Sequence, residues 1–101
     1  MARRYRSSIP HDAAERVVEH HPGGEQKKAE YLLGSEVVGI RYFHETGEPE
    51  FEYALGGGKR HGIEYCWAAP GELLSAIPYA NGLGHGTARQ WVTGRQVRTW
   101  L

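Results

Sequence analysis

GIRYFHETGEPEFEYALGGGKRHG, residues 39–62, runs into GIEYCWAAPGELLSAIPYANGLGHG, residues 62–86, and then into GTARQWVTGRQVRTWL, residues 86–101. The three copies superpose. Gly39, Gly62 and Gly86 lie 23 and 24 residues apart, and each is followed three places on by Tyr42, Tyr65 or Arg89. A turn glycine comes next (Gly47, Gly71, Gly94), then an aromatic residue near the end of a short strand-like run (Tyr53, Tyr79, Trp100). Self-similarity at a period of roughly 20–50 residues is the signature of a repeat architecture.

Within the copies the alternation has period two. Phe51, Tyr53 and Leu55 share one side of a strand with Glu52 opposite, and Ile63, Tyr65 and Trp67 repeat the pattern. Asn81-Gly82 is the strongest short turn signal in the chain. Pro78 cannot donate to a ladder, which places its end of the strand at an edge or bulge. About seven short strands joined by tight turns form an antiparallel meander. One face is expected to collect Tyr31, Tyr42, Tyr53, Tyr65 and Tyr79, and the other Glu30, Arg41, Glu52 and Glu64.

Outward from the repeats, residues 10–21 predict a short helix. Asp12 and Glu15 form a capping-box-like pair, Ala13, Ala14, Val17 and Val18 share a helical face, and Pro22-Gly23-Gly24 ends it. Such a helix would cap one end of the stack. Residues 1–9 carry Arg3, Arg4 and Arg6 beside Tyr5, either as a solvated tail or as a basic arm for an acidic partner. The expected division is 1–24, basic tail and capping helix, and 25–101, the β-hairpin repeat domain.

Composition narrows the function classes. Twelve basic and twelve acidic residues cancel in this 101-residue chain, which argues against nucleic acid and against membrane association through bulk charge. Fourteen glycines, mostly at regular turn positions, indicate turn-rich β structure. The lone Cys66 makes no internal disulfide, and MARRYRSSIP lacks the apolar stretch of a secretory signal, so a cytoplasmic setting is expected.

Lys59-Arg60-His61-Gly62 and Gly84-His85-Gly86 opening the copies, Tyr79-Ala80-Asn81-Gly82, and the loop glycines Gly47 and Gly71 resemble MORN repeats (membrane occupation and recognition nexus), in the variant of the bacterial YwqK-family antitoxins. The resemblance covers residues from about Gln26 onward and departs from the pattern at Arg89, where a tyrosine is usual, and at Gly56-Gly57-Gly58, where Asn-Gly is usual. It implies an open stack of hairpins used for binding, with no catalytic site to carry over. The expected fold is thus all-β, an open antiparallel meander of about three MORN-like hairpin repeats with one short N-terminal helix.

Catalytic and metal readings do not assemble. His61 and His85 precede turn glycines, Cys66 alternates along a strand without an oxyanion donor, and Gly56-Gly57-Gly58-Lys59 lacks the spacing and helix of a phosphate loop. Neither an enzyme nor a cofactor is expected. The aromatic residues Phe43, Trp67, Trp91 and Trp100 are either the core of a thin sheet or, next to Arg89 and Arg98, anchors of an exposed partner-binding surface. Val97–Leu101 is expected to be a free edge strand, suited to self-association or strand addition. The expected function is a non-catalytic protein-interaction module, of antitoxin or immunity type as the resemblance implies. The alternative, implied by the same resemblance, is a lipid head-group or membrane-surface module.

Overall fold

The computed structural model describes residues 6–68, 71–92 and 95–100, and every regular element among them is a strand. These are β1 (Ala14–His20), β2 (Gln26–Leu33), β3 (Glu36–Phe43), β4 (Pro49–Gly56), β5 (Lys59–Ala68), β6 (Glu72–Ala80), β7 (Leu83–Gly84), β8 (Ala88–Val92) and β9 (Arg95–Trp100). They form one open antiparallel sheet in the order β1-β2-β3-β4-β5-β6-β8-β9, with the two-residue β7 also pairing β6. The meander inferred from the tight turns is the topology of the molecule.

The N-terminal helix is not there. Residues 14–20 form β1, with Ala14 opposite Leu32 and Val17 opposite Ala29, so β1 joins β2 across the boundary drawn at residue 24. A helix of about three turns is marginal in water unless an apolar face docks. The β-branched pair Val17-Val18 gains more as a strand. There Arg16 also reaches Glu30, Glu15 accepts from Tyr31, and Glu19 lies 3.9 Å from Lys28. Pro22-Gly23-Gly24 is a hairpin turn, not a helix stop.

With β1 in place the repeat count also changes. Four consecutive hairpins, β1–β2, β3–β4, β5–β6 and β8–β9, replace the expected three. The first three share one turn geometry: the Gly24, Gly47 and Gly71 amides donate to the His21, His44 and Ala68 carbonyls at 2.9, 2.9 and 2.8 Å, and their φ angles are 99°, 94° and 97°. Between hairpins, Gly57-Gly58 and Asn81-Gly82 have φ of 57°/80° and 52°/84°. Two successive positive values are the mark of the type I′ turn, whose twist matches that of the flanking strands.

Register decides which residues share a face. Lys28 stands opposite Tyr42, so Tyr31 stands opposite Gly39. Tyr42 pairs Phe51, while Arg41 pairs Glu52. The five tyrosines expected together are therefore split. Tyr31 and Tyr65 lie with Arg41 and Glu52, whereas Tyr42, Tyr53 and Tyr79 lie on the other side with Glu30 and Glu64. Because the side-chain period is two, a one-residue difference in pairing exchanges faces.

The face bearing Tyr31 and Tyr65 is covered by residues 6–13, which cross it as an arm in place of a second layer. Its core has two parts: Ile9, Ala29, Tyr31, Phe43 and Ala54 form one, and Tyr65, Trp67, Leu73 and Trp91 the other. Two repeat glycines make room for the arm. A Cβ on Gly39 would lie 2.5 Å from Ile9 Cγ1, and one on Gly62 would lie 2.5 Å from the Ser8 Cβ. Gly62 also has φ 73° at a register irregularity in β5, where the pairing passes from Glu52–Tyr65 to Ala54–His61.

Candidate functional site

The uncovered face carries a continuous aromatic band. The Tyr42 and Phe51 rings lie 6.0 Å apart at 45°, and the Phe51 and Tyr53 rings 5.7 Å apart, edge to face. Such geometries are favourable beyond simple burial. Cations sit over both ends: Lys28 Nζ is 5.4 Å from the Tyr42 ring centroid, and the Arg60 guanidinium is 4.2 Å from Tyr53 and 5.7 Å from Tyr79. Arg60 Nη1 also donates to Glu64 Oε1 at 2.6 Å. Lys28, Tyr42, Phe51, Tyr53, Arg60 and Tyr79 are all half-buried, so ring edges and charged heads reach solvent while their bodies pack on the sheet.

Burial and neighbouring charges shift three titratable groups of this face. Cys66, opposite Phe51, is half-buried, and burial pushes its thiol up, with Glu50 and Glu64 adding to the effect. That disfavours the thiolate a nucleophile requires. Burial also raises Glu64, against the opposing pull of Arg60. Lys28 is raised by its contact with Tyr42 and stays cationic. Among the described residues no three His, Cys, Asp or Glu side chains are grouped to hold a metal ion.

The covered face holds a buried polar chain. Glu52 is fully buried; its Oε1 accepts from Arg41 Nε at 2.9 Å and its Oε2 from Ser7 Oγ at 2.6 Å. The Arg41 guanidinium lies 4.9 Å from the Tyr31 ring centroid and donates to Tyr31 Oη at 3.2 Å, and Tyr31 donates in turn to Glu15 at 2.6 Å. Burial and the Glu15 hydrogen bond push the Tyr31 phenol up to about 12. A partly open cavity of about 270 Å³ lies beside the arm, between Ile9, Pro10, His11, Tyr31 and Arg41.

The residues expected to bind a partner are not brought together as one exposed surface. Phe43, Trp67 and Trp91 are 6%, 5% and 6% exposed and belong to the core of the covered face. The reading of these three as exposed anchors is therefore corrected: the arm and the twin core clusters supply the cover that a bare meander lacks. The Phe43 and Trp67 carbonyls accept hydrogen bonds from His21 Nε2 at 2.8 Å and His44 Nε2 at 3.0 Å, so each turn histidine ties one hairpin to the next. Arg89 is exposed, on β8 opposite Ala76 and Thr99. Arg98 and Trp100 stand in β9 opposite Gln90 and Ala88, and their side chains lie outside the described residues. β9 does end the strand order.

The band that is accessible, Tyr42, Phe51, Tyr53 and Tyr79 with Lys28 and Arg60, was not singled out from the sequence. Its signal was present in the alternation of Phe51 and Tyr53 but needed the β3–β4 register to join Tyr42 to them. Among the described residues no helix is long and apolar enough to cross a membrane. Comparison with known proteins returned no matching family model, curated protein or solved structure.

Proposed function

We propose that the chain is a non-catalytic protein-interaction module that binds a partner protein through the aromatic face of its sheet. The observation that supports this is the run of three half-buried rings in contact, Tyr42, Phe51 and Tyr53, with Lys28 over one end and Arg60 bridging the other to Tyr79, on the face that the arm leaves open. Aromatic residues and arginine concentrate the energy of protein interfaces. Rings held by neighbouring rings and strands lose little conformational freedom on binding. Binding by occlusion, as in the antitoxin or immunity half of a MORN-like pair, needs a surface of this kind and no reacting group. The raised thiol of Cys66 is consistent with that.

The test is affinity capture on the full chain beside a Tyr53→Ser/Arg60→Glu variant with an unchanged circular dichroism spectrum. A single stoichiometric protein retained by the wild type and lost by the variant is the expected result. Retention of the same protein by that variant, with loss in Arg89→Ala, would move the interface to the β8–β9 edge. Salt-sensitive capture by anionic vesicles with no protein partner would favour the lipid head-group alternative.

A further inference from the structure

Residues 6–9 are held on the covered face as a bound peptide is held. The Tyr65 hydroxyl donates to the Arg6 carbonyl at 3.0 Å, the Ile63 amide donates to Ser8 Oγ at 2.8 Å, and Ser7 Oγ donates to the buried Glu52 carboxylate at 2.6 Å. The Ile9 side chain enters the notch at Gly39, and the Ser8 side chain the notch at Gly62. Glycine inside a strand weakens the strand and marks a place where a ligand or another backbone approaches closely. One main-chain carbonyl, that of Arg6, and three consecutive side chains, Ser7, Ser8 and Ile9, are therefore held by the sheet face.

The segment is not one of the strands of the sheet. It has no strand pairing of its own and joins β1 through a turn closed by the Ala13 amide on the Pro10 carbonyl at 3.1 Å. Ile9 is its one buried apolar side chain, and Arg6 at its outer end is exposed. Beside Ile9 and Pro10 lies the partly open cavity of roughly 270 Å³, between the arm and Tyr31 and Arg41. Groups released by its departure, the Glu52 carboxylate and the Tyr65 hydroxyl among them, are then open to water or to the same atoms of an incoming chain.

We propose that this trough is a second, peptide-binding site, occupied at rest by the chain's own residues 6–9. A partner segment of the same chemistry, two small hydroxyl side chains followed by a β-branched aliphatic one, displaces them. The site lies on the face opposite the aromatic band and does not depend on that band's role.

The probe is a fluorescent peptide with the sequence of residues 4–11, titrated into the full-length chain. Ile9→Asp in the protein loosens the resident segment without touching the trough. It is expected to bind the peptide at least tenfold more tightly than the wild type, while a peptide carrying the same change does not bind. Equal affinity of both chains, or no binding to a variant that still melts cooperatively, overturns the proposal. If Ile9→Asp abolishes cooperative melting, Ser8→Ala, which removes only the hydroxyl that accepts from Ile63, replaces it. A severalfold gain in peptide affinity is then expected, and the absence of any gain overturns the proposal.

Discussion

The two faces of this sheet are made by the same strands, yet they differ in almost everything that alternation can vary. On one, Ala29, Tyr31, Phe43 and Ala54 are buried with Ile9 of an arm that enters glycine notches, Tyr65 and Trp67 are buried in the neighbouring cluster, and the fully buried Glu52 pairs a half-buried Arg41. On the other, Tyr42, Phe51, Tyr53 and Tyr79 stand half-exposed under Lys28 and Arg60. The difference teaches that a single-layer sheet can cover one face with a segment of its own chain while the aromatic rings of the other stay half-exposed. The division is set by register, residue by residue.

The largest expected contrast is in truncation. Trp67→Ala, in the covered core, is expected to cost about 3–5 kcal/mol in chemical denaturation, as large aromatic truncations in cores do. Tyr53→Ala on the open face is expected to cost about 1 kcal/mol, since its packing is half with solvent. Equal losses would erase the distinction between the faces.

Next comes the notch at Gly62. An alanine there meets Ser8 and must hold φ near 73°, so a loss of roughly 1–3 kcal/mol is expected from the same measurement. Gly24→Ala, at a positive φ but in open space, isolates the backbone cost. A Gly62→Ala loss no larger than that of Gly24→Ala would show that the arm does not press on the sheet there.

The smallest effect is confined to alkaline pH. The Tyr31 phenol is raised to about 12 in the folded chain, above its ordinary value of 10.0. Between those values the unfolded chain releases the proton first. The stability this group contributes is thus complete below pH 10 and lost as pH rises toward 12. Tyr31→Phe is expected to flatten the fall in denaturation midpoint over that window, and an unchanged slope would count against the burial of Tyr31 and its hydrogen bond to Glu15.

Most of the strands and the tight turns were legible in the sequence because they rest on local rules: alternation at Phe51-Glu52-Tyr53, and the left-handed pair at Asn81-Gly82. β1 was not, because Ala13, Ala14, Val17 and Val18 satisfy a helical stripe as well as a strand. The kinship of His21-Pro22-Gly23-Gly24 with His44-Glu45-Thr46-Gly47, one period apart, carried the answer instead. Face assignment failed where it depended on pairing: Tyr31 changes sides relative to Tyr42 through the β2–β3 hairpin alone. The buried Glu52 was illegible, since its partner Ser7 lies 45 residues away in a segment read as a tail.

Tyrosine nitration of the full chain, followed by peptide mass spectrometry, tests the two-faced sheet most directly. Tyr42, Tyr53 and Tyr79 are half-buried at a solvent-facing surface, whereas Tyr31 and Tyr65 are 6% and 5% exposed. The first three are expected to be modified while the chain is folded and the last two only after denaturation. Modification of Tyr31 and Tyr65 in the folded chain at the rate of Tyr53 would contradict the division of faces on which the proposed interaction surface rests.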